Sequence, residues 1–149
     1  MSLIHGSRGL IYFVHEWKPK FNEHALLDDP QMLAAVTAIN AQIKSLAPVL
    51  NSDTVRMHFP EVPPDWKPQP GADAPVAWMA KRYDGAVYVF AVCMRNAKGK
   101  AVIRLEPLRA GMTAEVLGEG RSVKVGDGLL EDDFEPYAVH LYRIRSEVK

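Results

Sequence analysis

Cysteine is almost missing. Cys93 is the only one in 149 residues, so no disulfide can form within the chain. It sits in the apolar stretch 87–94, which predicts a buried strand thiol rather than a nucleophile. Net charge is missing too: eighteen basic and eighteen acidic residues cancel, which argues against a nucleic-acid surface. No stretch approaches the roughly 20 apolar residues of a membrane span, so no membrane contact is expected. No charged leader precedes an extended apolar region, so the cytoplasm is the expected compartment. No Gly-rich phosphate loop and no Gly-x-Ser-x-Gly nucleophile elbow occur. His15, Glu16, Glu23 and His24 match no helix-borne zinc spacing, so neither metal nor cofactor is expected. There is no internal repeat.

What is present begins with Gly9-Leu10-Ile11-Tyr12-Phe13-Val14. This unbroken apolar run predicts a strand buried on both faces, as in a parallel sheet or barrel. A polar loop follows, then a helix. Asp29 is a good N-cap and Pro30 suits the first helical position. Met32, Val36, Ile39, Ile43, Leu46 and Leu50 draw one apolar stripe, which predicts core packing. Pro48 predicts a helix end near Leu46. One strand-loop-helix cannot bury itself, because a parallel strand needs neighbours and covering helices.

Pro60, Pro63, Pro64, Pro68 and Pro70 mark 51–74 as a linker or edge segment with a short strand at 54–59. After it the chain reads as β. Strands are predicted at 75–82, 86–95, 100–106, 113–117, 121–125, 129–134 and 137–144, separated by turn residues. Tyr83-Asp84-Gly85 is a hairpin signal. The expected fold is mainly β: an antiparallel two-sheet sandwich over 75–149 with the strand-loop-helix of 1–50 as an N-terminal appendage, together one compact body.

Candidate chemistry is sparse. His15, Glu16 and Trp17 follow the apolar strand directly, where α/β barrels carry their ligand contacts. They are the expected substrate-lining residues, in the context of a complete barrel. Trp66, in the Pro-rich segment, is a candidate for stacking on a sugar ring, whereas Trp78 lies in an apolar strand and is expected in the core. Glu131, Asp132, Asp133 and Glu135 form an acidic cluster. Adjacent strand residues point to opposite faces, so they make a poor catalytic pair. No catalytic residue is assigned.

Several strings together resemble the C-terminal part of retaining (β/α)8-barrel glycoside hydrolases. Gly9-Leu10-Ile11-Tyr12-Phe13 with Lys18-Pro19-Lys20-Phe21 resembles the last barrel strand and its loop. Ala34-Ala35-Val36-Thr37-Ala38-Ile39-Asn40 and Leu46-Ala47-Pro48-Val49-Leu50 resemble the closing helix. Ala114-Glu115-Val116-Leu117-Gly118-Glu119-Gly120-Arg121 and Phe134-Glu135-Pro136-Tyr137-Ala138-Val139-His140-Leu141-Tyr142 are similar to the β-sandwich that follows the barrel. The resemblance implies a catalytic carboxylate pair after the fourth and seventh barrel strands, and no residue of this chain matches either. It therefore implies a non-catalytic accessory or stabilising domain, partnered by the barrel of a parent glycosidase. A carbohydrate-binding module that takes up oligosaccharide through exposed aromatics, or a small β protein that pairs with a second copy of itself, are the alternatives.

Overall fold

A computed structural model of the chain describes residues 1–58, 75–104, 111–126 and 128–145, without the side chains of 56–58. Two units emerge. Arg8–Asn51 forms a helical unit, and Met1–Ser7 with Ser52–Lys149 forms a β unit.

In the helical unit, α1 (Ala25–Asp28) is a single turn and α2 spans Pro30–Leu50. The Asp29 carboxylate caps α2 by accepting from the backbone N–H of Gln31 and of Met32, both at 2.9 Å. Pro30 takes the first helical position, where its missing N–H has no partner to lose. Pro48 does not end the helix as expected. It removes one late hydrogen bond, and α2 runs on to a cap at Asn51, whose N–H reaches the Ala47 carbonyl at 3.0 Å. At 21 residues, α2 is long and apolar enough, by length and composition alone, to cross a membrane. That corrects the expectation that no segment approaches such a length. Gln31, Thr37, Asn40, Gln42, Lys44 and Ser45 nevertheless leave it one apolar face, the pattern of a helix laid against protein. Along that stripe Met32 and Ile39 are exposed, and Val36, Ile43, Leu46 and Leu50 are half-buried.

The buried strand expected at 10–14 is absent. These residues join no ladder, and Ile11 is 99% exposed. The physical reason is plain: a parallel strand takes its hydrogen bonds from flanking strands, and the helical unit contains none.

Among the described residues the β unit carries eight strands, all paired antiparallel. They are β1 (Asp53–His58), β2 (Val76–Tyr83), β3 (Ala86–Cys93), β4 (Gly99–Arg104), β5 (Thr113–Val116), β6 (Arg121–Gly126), β7 (Leu129–Phe134) and β8 (Val139–Arg145). Asp84 and Gly85 both take positive φ, 47° and 68°, which is the two-residue turn that matches strand twist. The order is β1-β2-β3-β8-β5-β6-β7-β4, so β8 lies between β3 and β5.

Two separate sheets were expected. Hydrogen bonding instead joins all eight strands into one curled sheet. The reason is β6, which serves two ladders: Arg121 to Lys124 pair with β5, and Val125 and Gly126 pair with β7. Such a shared strand turns a corner without an edge. Inside the curl, Trp78, Val89, Ile103, Leu130, Phe134 and Tyr142 belong to one core. β2 and β3 are buried on their other face as well, through Ala77, Met79, Phe90 and Val92.

Cys93 is fully buried, with its Sγ 3.3 Å from the carbonyls of Arg95 and Ala97. Its thiol should stay unmodified by a thiol reagent in the native protein and react only after denaturant is added. Mass spectrometry before and after urea checks this.

Candidate functional site

Side chains alternate along a strand, so β7 aims Leu130, Asp132 and Phe134 at the same face. Leu130 and Phe134 are core. Asp132 is therefore an acid in an apolar row, and it needs partners. Arg121, at the start of β6, meets it with two hydrogen bonds, Nη1 to Oδ1 at 2.9 Å and Nη2 to Oδ2 at 2.8 Å. The Tyr142 hydroxyl of β8 donates to the same Oδ2 at 2.8 Å. Arg121 Nε reaches Glu119 Oε2 at 2.8 Å. The other oxygen of Glu119 accepts from His140 Nδ1, and the His140 ring stands edge-on to Phe134, 4.6 Å between centroids. Three strands and the β5–β6 turn are thus tied at one end of the core.

Electrostatics follow from this geometry. Burial alone would raise the Asp132 carboxyl, but the Arg121 guanidinium and the Tyr142 hydroxyl outweigh it and hold it below the usual carboxylate range. Glu119 is also lowered: His140 and Arg121 overcome its burial. Burial first, then the bond to Asp132, pushes the Tyr142 phenol up. Both acids are anions at neutral pH, each carboxylate oxygen held by a side-chain partner. This knot fastens strands.

The acidic cluster separates accordingly. Asp132 belongs to the knot, Glu135 pairs with Lys98 at the surface, and Glu131 and Asp133 are exposed. Among the described residues no three His, Cys, Asp or Glu side chains gather as metal ligands. Trp66 lies outside the described residues. Trp78 is in the core, as its strand predicts.

His15, Glu16 and Trp17 are all exposed, in the helical unit. Glu16 and Asn22 exchange two backbone hydrogen bonds, each 2.9 Å, which close a loop around 17–21. Beside this frame His15 stacks on Phe21, centroids 5.9 Å apart and planes 16° apart. Trp17 leans on the same Phe21 at 5.0 Å, and Phe13 meets His15 edge-on at 5.2 Å. Sequence reasoning singled out His15 and Trp17 but not Phe13 or Phe21. The alternation of Phe13, His15 and Trp17 was the signal, since residues two apart share a side of an extended chain.

No protein-family model matches the chain, and no curated protein matches it. Solved structures do. An α-amylase from Anoxybacillus matches with TM-score 0.54 and 16% identity, over 81% of this chain and 24% of that one. The α-amylase from Geobacillus thermoleovorans, solved with acarbose, matches with TM-score 0.52 and 14% identity, over 80% of this chain and 24% of that one. AmyP, solved with maltotriose, matches with TM-score 0.57 and 10% identity, over 85% of this chain and 24% of that one. At these identities the likeness is one of fold, and the chain spans about a quarter of the length of the structures it matches.

Proposed function

We propose that the chain is a non-catalytic accessory domain of a glycoside hydrolase-like protein, seated after its barrel and stabilising it. The observation that carries this reading is the fold likeness to part of two α-amylases, which takes in 81% and 80% of this chain and 24% of each of those. In this reading β1-β2-β3-β8-β5 and β7-β4 act as the two layers of a sandwich that share β6. The apolar run 10–14 is a barrel strand awaiting its neighbours, and α2 packs on protein rather than lipid.

The coding sequence upstream of Met1 tests this. An in-frame run of alternating strands and helices, with carboxylates after its fourth and seventh strands, is the expected result. A stop codon directly upstream, with light scattering showing a strict monomer, would sink both the barrel and a second copy as partners.

A further inference from the structure

We propose that the open edge of β4 takes up an acidic peptide as an added strand, with an apolar residue beside Val102 and an acid beside each of Lys100 and Arg104. Among the described residues the sheet ends in β1 on one side and in β4 on the other, and the two edges differ. β1 carries a register shift between Thr54 and Arg56, the kind of bulge that twists an edge away from further pairing. β4 pairs with β7 without any shift, from Gly99 opposite Phe134 to Arg104 opposite Leu129, and it holds no proline. On the side away from β7, alternate residues of β4 therefore turn N–H and C=O groups toward no neighbouring strand among those described.

Register selects the occupant. Ala101 and Ile103 face the core, so Lys100, Val102 and Arg104 share the outer face, all three exposed. Val102 is 47% exposed, with a cation two positions away on either side and no acid anywhere in β4. A second copy of β4, laid antiparallel with Val102 opposite Val102, would set Lys100 against Arg104 twice, and like charges directly opposite destabilise a strand pair. A strand that reads acid-x-apolar-x-acid turns both contacts into attractions, in either chain direction. Glu131 and Asp133, the acids of the same face, lie on β7, one strand further in, so the added strand meets the cations first. Main-chain bonds give strand addition its affinity, and alternate side chains choose the partner. The inference concerns the β unit by itself and stands whether or not a barrel precedes the chain.

Titrating the full chain against the capped, dye-labelled peptide TETVTET, read by fluorescence anisotropy beside the basic peptide TKTVTKT, tests it. TETVTET should bind saturably in the micromolar to low millimolar range, and TKTVTKT about tenfold or more weakly. The double variant Lys100→Glu, Arg104→Glu should reverse that preference with its melting temperature little changed. N-methylation of alternate peptide residues separates strand addition from plain charge attraction. Of the two alternating sets, one turns its N–H groups to β4 and should abolish binding to the wild type, while the other leaves it nearly intact. No saturable binding of TETVTET, or binding that neither N-methylated form loses, overturns the proposal. A preference for TETVTET that survives the double variant also overturns it, because the cations that read the acids are then elsewhere. So does a wild-type dimer that Val102→Lys dissolves, which assigns the edge to a second copy.

Discussion

Asp132→Ala is expected to destabilise the β unit by about 2–3 kcal/mol. The substitution removes the acceptor for two Arg121 hydrogen bonds and for the Tyr142 hydroxyl, and leaves a phenol inside the core without a partner. Water reaches Arg121, whose side chain is 37% exposed against 11% for Asp132. Screening therefore keeps the loss below that of a fully buried pair. Urea denaturation followed by β-sheet circular dichroism measures it. Arg121→Ala combined with Asp132→Ala should lose clearly less than the sum of the two single losses, because they share one interaction. Additive losses would dismiss the knot. The pH dependence has a definite sign. Asp132 and Glu119 are both held below their usual range, so their contribution is complete above the unfolded carboxylate values near about pH 4. It drains away as pH falls through the lower folded values. Wild-type stability should fall steeply below about pH 4, and the gap between wild type and Asp132→Ala should narrow there.

A larger loss, about 3–5 kcal/mol, is expected for Phe134→Ala. Phe134 is 1% exposed and lies in the core, so truncation leaves a cavity that the surrounding sheet fills only in part. Its ring also supports His140, so the same change frees the imidazole that holds Glu119. Phe134→Leu keeps most of the apolar volume and should lose less than half as much. Equal losses for the two variants would mean that the ring contact, and not the volume, sets the cost.

The strands were legible because each is local. Turns at Asp84-Gly85 and Gly118-Glu119-Gly120, which bound the strands, are written in adjacent residues. The helix start was equally plain in Asp29-Pro30. What escaped is what depends on distant neighbours. Nothing local says that Ala86 pairs with Arg145, nor that β6 splits its bonds between two strands. The 10–14 run reads as a strand in any sequence, yet strand identity is conferred by partners that the helical unit does not supply. The knot was half legible. With Val125 opposite Leu130, the same register sets Asp132 diagonally from Arg121, within reach of a long side chain. His140 and Tyr142 come from β8, and their arrival follows only from the topology. The aromatic set divided the same way: Trp17 stood out as a residue type, whereas Phe21 joins it only through a backbone bridge.

The position of β8 has a consequence for how the protein is made. It is the last of the eight strands in chain order, yet it lies between β3 and β5 and is the link between the first three strands and the rest. A growing chain on the ribosome can close the β2–β3 and β5–β6 hairpins early. It cannot join them until Val139–Arg145 has emerged. Until then Val89, Ala91 and Ala114 have no sheet to close over them. Folding of this unit therefore waits for residues 139–145, and the nascent unit carries open strand edges until they emerge.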